Sequence, residues 1–229
     1  MFMFKNGLKK AITFSFDDGV ADDIRLIALL NKYGLKATFN LNSGMLSNRR
    51  VHWMFKDVRP VRSLYYTETT NLYDGHEIAS HTVNHVDPCV ATPIAFYNEL
   101  LLDKVYLEAL YKTEIRGMAF PYGRYTDETV EMIKKLNYLY ARTTKSTYSF
   151  DFPSELPLLH PTCRFNDAKL FQLAEQFIEL EPTEKSVFYI WGHSFEFLTE
   201  NDWQEFEKFC KIISGREDIF YCTNSQLFL

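Results

Sequence analysis

A repeated order of segments is the feature that most restricts how this chain can fold. Residues 11–16 are β-branched, aromatic or small and stop at an Asp-Asp-Gly sequence, which predicts a buried strand that ends in a loop. Residues 24–33 have helical spacing and are followed by Gly34, and residues 36–41 again have the composition of a strand. A strand, a helix and a second strand in this order favour a parallel pair.

The same order continues along the chain. Further strands are predicted at residues 77–80, 117–120, 138–142, 187–191 and 219–222, and further helices at residues 92–112, 126–136, 169–180 and 202–213. Residues 49–73 have no clean period and are predicted to form a long loop or insertion. So many strands are too many for a small open sheet. We therefore predict an α/β barrel of parallel strands, and one domain spanning residues 1–229 suits this length.

Charge and hydropathy exclude several classes of protein. The net charge is −5 and no run of lysine and arginine is longer than a pair, which argues against nucleic-acid binding. Within residues 1–10 the apolar residues precede the lysines, the reverse of a signal peptide, and no later stretch is apolar enough to span a membrane. We expect a cytoplasmic protein, or a secreted or periplasmic one if a leader has been removed. The oligomeric state is left open.

Polar residues come directly after several predicted strands. Asp17 and Asp18 follow the first strand, and His81, Tyr122 and His193 follow three later ones. In a parallel α/β barrel the carboxyl ends of the strands meet at one end, where active sites assemble. We therefore expect these side chains to form one site.

A metal site is predicted from two histidines and an aspartate. His81 and His85 are four residues apart, a spacing that on a helical turn would bring both imidazoles to one face. Together with Asp18 they offer two nitrogens and one carboxylate, a set that leaves coordination positions open for water and substrate. Zinc is the first choice, and cobalt, nickel or iron also suit these ligands. A pair of surface or capping histidines and a plain Asp-Asp-Gly turn are the alternatives.

Three other residues are candidates for catalysis. If the chain leaves the strand extended, Asp17 and Asp18 point to different sides, so that one can bind a cation while the other accepts a proton. His193 could be a general acid, because histidine titrates near neutral pH. Tyr122 lies in a Pro-Tyr-Gly sequence and could present its backbone N–H to an oxyanion. A structural histidine and a plain turn are the alternatives for these last two.

Four short motifs resemble those of the polysaccharide deacetylase family, also called the NodB-homology or carbohydrate esterase family 4 group. In chain order they are Ser15-Phe16-Asp17-Asp18-Gly19, His81-Thr82-Val83-Asn84-His85, Phe120-Pro121-Tyr122-Gly123 and Trp191-Gly192-His193. The first has Ser where the family usually has Thr, and the second fits fully. The motifs extend over most of the chain. The resemblance implies a distorted (β/α) barrel, which agrees with about seven parallel strands.

The resemblance also implies a role for each matching residue. The base would be Asp17, the acid His193, the oxyanion donor the amide of Tyr122, and the metal ligands Asp18, His81 and His85. Two features depart from the family pattern. An arginine usually stands two residues before the proline of the third motif and tunes the base, but this position is Ala119, and Arg116 lies too early to replace it. The family's own fourth motif, which falls between the third and the last of the motifs given above and usually has an Asp and a Trp near the acid, has no clear match, with Asp151 and Asp167 as candidates.

These observations predict a metal-dependent hydrolase that removes acetyl groups from an N-acetylated carbohydrate. The carbohydrate substrate rests on the resemblance alone. An esterase that acts on O-acetyl glycans is the nearest alternative, because a metal site does not distinguish an ester from an amide. A carbohydrate-binding pseudoenzyme is a second alternative, suggested by Ala119 and the missing fourth motif. A purely structural barrel that binds no metal is a third.

Overall fold

The computed structural model describes residues 3–4, 7–46 and 52–229. The helices are α1 (Asp23–Lys32), α2 (Tyr66–Thr69), α3 (Pro93–Tyr111), α4 (Asp127–Lys135), α5 (Leu170–Glu179) and α6 (Glu200–Ile213). The strands are β1 (Lys10–Asp17), β2 (Ala37–Leu41), β3 (His52–Phe55), β4 (Arg59–Arg62), β5 (Glu77–Ser80), β6 (Gly117–Ala119), β7 (Tyr140–Arg142), β8 (Leu158–Leu159), β9 (Cys163–Arg164), β10 (Ser186–Gly192) and β11 (Ile219–Tyr221).

The main sheet is built from parallel pairs in the order β8-β7-β6-β5-β2-β1-β10-β9, with β11 beside the first residues of β1. The two end strands of this order, β8 and β9, are connected by residues 160–162 alone. Residues 158–164 therefore pair with β7 at their start and with β10 at their end, and the sheet curls round on itself. The predicted distorted (β/α) barrel of mostly parallel strands is confirmed.

Alternation along β1 separates the core from the polar barrel interior. The even-numbered side chains from 12 to 16 are isoleucine or phenylalanine and belong to the large apolar cluster that includes the inner faces of the helices. The odd-numbered side chains from 13 to 17 are polar and lie on the other side of the sheet, where Ser15 accepts a hydrogen bond from Asn40 of β2. Asp17 is the last inward-facing residue of β1, at the carboxyl end of the barrel.

Residues 49–73 are predicted to form a long loop or insertion, and the loop is wrong for the part that the structure describes, which contains a separate hairpin. Residues 52–62 form the antiparallel pair β3–β4, and α2 follows, while residues 49–51 lie outside the described residues. The rings of Trp53 and Phe55 pack against Phe195, with centroid distances of 5.9 and 4.9 Å. Contacts with residues about 140 positions away stabilise this hairpin, and no local pattern reports such contacts.

Most other predicted elements are confirmed, with ends displaced by one or two residues. The strands β8 and β9 were not predicted, because two residues are too few to show a period of two. Among the described residues, no helix combines the length and the apolar character that crossing a bilayer requires.

Candidate metal centre

The first part of the site is the turn that ends β1. Asp18 has φ 80° and Gly19 has φ 63°, so the chain leaves the strand sharply and does not continue extended. Glycine is favoured at the second position because its backbone adopts this left-handed region without a steric penalty. The condition of an extended exit is therefore not met, yet the two carboxylates still have different neighbours. Asp17 faces Arg142, and Asp18 faces the two histidines.

His81 and His85 lie in a loop after β5 and not on a helical turn, so the helical interpretation of their spacing is wrong. Thr82 and His85 have φ values of 65° and 55°, and this coiled backbone brings the two rings to a centroid distance of 4.7 Å. The side chain of Asn42 donates hydrogen bonds to the carbonyl oxygens of His81 and Thr82, at 2.6 and 2.9 Å. The loop is thus held in place by Asn42, the residue that follows β2.

The carboxylate of Asp103, on α3, holds the start of this loop. It accepts hydrogen bonds from the hydroxyl of Ser80 at 2.5 Å and from the backbone N–H of His81 at 3.1 Å. Asp103 is fully buried, and burial raises the pKa of its carboxyl to about 6 despite these donors. The contact with Asp103 of α3 therefore fixes the backbone position of His81 at the end of β5.

The three predicted ligands come together at distances that suit a metal ion. Oδ1 of Asp18 lies 3.6 Å from Nε2 of His81 and 3.9 Å from Nε2 of His85. Two ligand atoms at about 2.1 Å from a tetrahedral zinc ion are roughly 3.4 Å apart. All three ligand atoms lie within 4.8 Å of one another, so a small inward movement would complete such a site.

The hydrogen bonding of His81 also fits a metal ligand. Its Nδ1 donates to the carbonyl oxygen of Ala119 at 2.7 Å, which leaves Nε2 as the free lone-pair nitrogen. This Nε2 is buried and has no hydrogen-bond partner in the described part of the chain. Burial lowers the pKa of His81 to about 4, although Asp17 acts in the opposite direction, so the imidazole is neutral at pH 7. The neutral imidazole is the form that binds a cation.

The base candidate Asp17 is held by two side chains that the motifs do not include. Asn40 donates to its Oδ1 at 2.8 Å, and the guanidinium of Arg142 forms a short ion pair with its Oδ2. Burial alone would raise the pKa of Asp17, but Arg142, and then His81 and His193, outweigh it and lower the pKa to about 2. Asp17 is therefore ionised at and around pH 7.

Arg142 is the arginine that contacts the predicted base, whereas the resemblance implies an arginine at position 119, which is an alanine here. It is the last residue of β7, has no exposed surface, and lies against the ring of Trp191 with 4.7 Å from the guanidinium carbon to the ring centroid. Sequence reasoning missed it. One signal was available, because Tyr140 and Arg142 share the inward-facing phase of a strand that ends at the site.

His193 lies on the other side of Asp17. Its Nε2 is 3.7 Å from Oδ2 of Asp17 and 4.0 Å from Oδ2 of Asp18, and its Nδ1 is 3.5 Å from Oε1 of Glu196. Burial acts to lower the pKa of His193, but hydrogen bonding to Glu196 and the charges of the two aspartates outweigh it, so the pKa is raised. A raised pKa favours the protonated form that a general acid requires.

Glu196 is the carboxylate beside His193, the predicted acid, and neither predicted candidate takes this place. Asp151 accepts a hydrogen bond from Ser149, and Asp167 accepts one from Tyr148. Glu196 is nearly buried and forms an ion pair with Arg164 of β9. Its position three residues after His193, in a short 3-10 turn, was the signal that could have found it.

The Pro-Tyr-Gly turn places Tyr122 at the rim of the site. Tyr122 has φ 58° and is 61% exposed, and its ring meets that of His85 edge to face at a centroid distance of 4.6 Å. The next residue, Gly123, has φ 67°, and a Cβ there would lie 2.1 Å from Oγ1 of Thr144. The turn is therefore closely packed against the loop after β7 and keeps Tyr122 beside the histidines.

His76 is not part of this site. It precedes β5, and its Nδ1 accepts a hydrogen bond from the backbone N–H of Ala37, while its Nε2 lies 3.1 Å from Oδ1 of Asn31. These contacts give His76 a hydrogen-bonding role between β5, β2 and α1.

The sequence of the chain is similar to that of known or named polysaccharide deacetylases. A family model described as polysaccharide deacetylase matches residues 4–141, a range that contains the three predicted metal ligands and ends one residue before Arg142. The Bacillus subtilis (strain 168) protein named "Putative polysaccharide deacetylase YxkH" is 25% identical over 142 residues, which are 62% of this chain and 47% of that protein. The chain thus spans about half the length of this curated relative.

Solved structures described as deacetylases are also similar to the chain. The Streptococcus pyogenes deacetylase PplD in complex with acetate is 26% identical, with a TM-score of 0.54 over 64% of this chain and 61% of that one. A structure from Mycobacterium smegmatis, described as a "putative polysaccharide deacetylase", has a TM-score of 0.69 over 98% of this chain and 90% of that one. Its identity is 15%, so this second likeness bears on the fold alone.

Proposed function

The chain belongs to the polysaccharide deacetylase family, and from this membership we propose that it is a metal-dependent hydrolase that releases acetate from N-acetylated carbohydrates. The observation that carries the proposal is the buried Nε2 of His81. It faces Asp18 and His85 without a hydrogen-bond partner among the described residues, and the ionised Asp17 lies beside it. A polar atom left in this state is costly unless something binds to it.

Asp18, His81 and His85 are proposed to hold the cation, with zinc as the first choice for two nitrogens and one carboxylate oxygen. A divalent cation held by these residues would supply Lewis-acid chemistry, since it would polarise the acetyl carbonyl and lower the pKa of bound water. The carboxylate of Asp18 and one ring nitrogen each of His81 and His85 would supply the lone pairs. The carbonyl of Ala119 fixes the tautomer of His81.

Asp17 is proposed to accept the proton as water adds to the acetyl carbon. Its Oδ2 lies 3.9 Å from Nε2 of His81 and 3.7 Å from Nε2 of His193, so the base stands between a ligand and the acid. Arg142 keeps Asp17 ionised but also makes it a weak base. A base this weak would need the additional acidity that a bound cation would give to water.

His193 is proposed to protonate the nitrogen of the leaving amine as the carbon–nitrogen bond breaks. The products are then acetate and an amino sugar, and the proton taken by Asp17 replaces the one that His193 gives up. The backbone N–H of Tyr122 is proposed to donate to the negatively charged oxygen that develops on the acetyl group. The rim position of Tyr122 beside His85 supports this assignment.

Two substitutions test the assignment. Acetate release from an oligomer of N-acetylglucosamine is measured together with bound metal. We expect His81→Ala to lose both. We expect Asp17→Asn to keep the metal and to lose activity by about 100-fold or more, the range of general acid–base catalysis. His76→Ala, at the opposite end of β5, is the control and should retain both.

Full activity of Asp17→Asn would contradict the role of the base. Activity that persists in the presence of a chelator would contradict the metal dependence. The same assay with an O-acetylated glycan separates the amide from the ester reaction, because faster release from the ester would replace the proposed substrate. A protein that binds the oligomer and releases no acetate would be a pseudoenzyme.

A further inference from the structure

A buried carboxylate outside the motifs lies directly behind the site. Asp23 is the first residue of α1 and has no exposed surface. Its Oδ1 accepts a hydrogen bond from the hydroxyl of Ser194 at 2.6 Å, and its Oδ2 accepts one from the hydroxyl of Tyr73 at 3.0 Å. Both donors are neutral. None of the proposed roles in deacetylation uses these three residues.

This carboxylate is expensive to bury. Desolvation raises the pKa of Asp23 to about 7, although the two hydroxyl groups act in the opposite direction. An acidic side chain at a helix N-terminus usually stabilises the helix from an exposed position, with no need for burial. The cost therefore points to a role in the geometry of the surroundings.

Ser194 connects Asp23 to the acid. Ser194 is fully buried and directly follows His193, and it begins the short 3-10 turn that ends at Glu196. The hydrogen bond between Ser194 and Asp23 spans 171 residues of sequence. It joins the loop after β10, which carries the acid, to the start of the helix that follows Asp17 and Asp18.

We propose that Asp23 is a positioning residue, which holds His193 at its distance from Asp17 and Asp18 through the hydrogen bond to Ser194. Asp23 touches neither substrate nor reacting atoms. The loop after β10 is a short turn, and a displacement of the acid by about 1 Å is enough to cost on the order of 100-fold in rate. This inference rests on the proposed function of His193.

Two single-hydroxyl deletions on the same carboxylate form a matched test. Ser194→Ala removes the bond on the side of the acid, and Tyr73→Phe removes the bond on the other side. We expect Ser194→Ala to lower kcat by about 10-fold to 100-fold, with KM and the affinity for zinc changed less than about twofold. We expect Tyr73→Phe to leave kcat within about twofold. Ser194→Thr, which restores the hydroxyl, should recover most of the lost kcat.

The NMR signals of the His193 ring give a readout that does not depend on turnover. In the metal-free protein these signals should move in Ser194→Ala and stay in place in Tyr73→Phe, with the His76 ring as an internal reference. Equal effects of the two substitutions on kcat, or an unmoved His193 signal in Ser194→Ala, would overturn the proposal. If the unsubstituted protein releases no acetate, the proposed function fails, and the ring signals still decide whether Asp23 positions His193.

Discussion

Asp17 and Glu77 are inward-facing carboxylates at opposite ends of the barrel, and their surroundings differ. Asp17, at the carboxyl end of β1, forms an ion pair with the buried guanidinium of Arg142 and faces the imidazoles of His81 and His193. Glu77, at the start of β5, is half-buried and accepts hydrogen bonds from the hydroxyls of Thr38 and Tyr140 and from the backbone N–H of Ser225. All of the donors to Glu77 are neutral.

The pKa values of the two groups shift in opposite directions for this reason. Loss of hydration acts to raise the pKa at both sites, but at Asp17 the charge of Arg142 reverses the shift. At Glu77 the neutral donors do not, and its pKa is raised. A further difference lies in unused bonding capacity. Both oxygens of Glu77 have partners, whereas Nε2 of His81 beside Asp17 has none among the described residues. Burial of polar groups does not by itself mark a functional site, and the unpaired Nε2 of His81 points to one because it also faces Asp18 and His85.

Removal of the positive charge of Arg142, the partner of Asp17, should have the largest of the expected effects on activity. Arg142→Met leaves Asp17 buried without its main partner, so the pKa of Asp17 should rise. The acid limb of the pH profile of kcat/KM should move to higher pH, and at pH values below the new limb activity should fall by about 100-fold, the scale of general-base catalysis, because Asp17 is protonated there. Breaking a buried ion pair should also lower the free energy of unfolding by about 3 kcal/mol. An unchanged acid limb would show that Arg142 does not control the ionisation of Asp17.

A change beside the acid should have a smaller effect. Glu196→Gln removes the negative charge 3.5 Å from His193 and leaves the positive charge of Arg164 in place. Both consequences lower the pKa of His193, so the basic limb of kcat should move to lower pH and activity at pH 8 should fall by about 10-fold. Arg164→Gln removes the opposite charge and should move that limb the other way. Movement of both variants in one direction would rule out this electrostatic account.

Glu77→Gln should have the smallest effect and should not change kcat. The pKa of Glu77 is raised above its ordinary value of 4.5, so the stabilising contribution of its protonated form is complete below about pH 4.5 and is lost as pH rises through the raised pKa. The free energy of unfolding of the wild-type protein should therefore decrease with rising pH relative to that of Glu77→Gln, by about 1 kcal/mol. Urea denaturation at pH 4 and pH 8 measures this difference, and a loss of activity in the variant would remove the contrast between the two ends.

The sequence predicted the barrel correctly and predicted that Asp18, His81 and His85 are neighbours, as they are in the structure, but several local interpretations failed. The spacing of His81 and His85 suggested a helix, whereas a loop with positive φ values brings the rings together. The sequence predicts a long loop or insertion where the hairpin of β3 and β4 forms, because the packing partner of the hairpin, Phe195, is far away in sequence. Glu196 was overlooked although it lies three residues from His193.

The sequence by itself determined the order of strands and helices and the positions of polar residues at strand ends. These features depend on periodicity and short motifs, which involve neighbouring residues. The tertiary structure alone decided that Arg142 meets Asp17, 125 positions away, and that Asp23 meets Ser194 across 171 positions. Such contacts depend on which strands are adjacent and in what register, and that is set by the packing of the whole barrel.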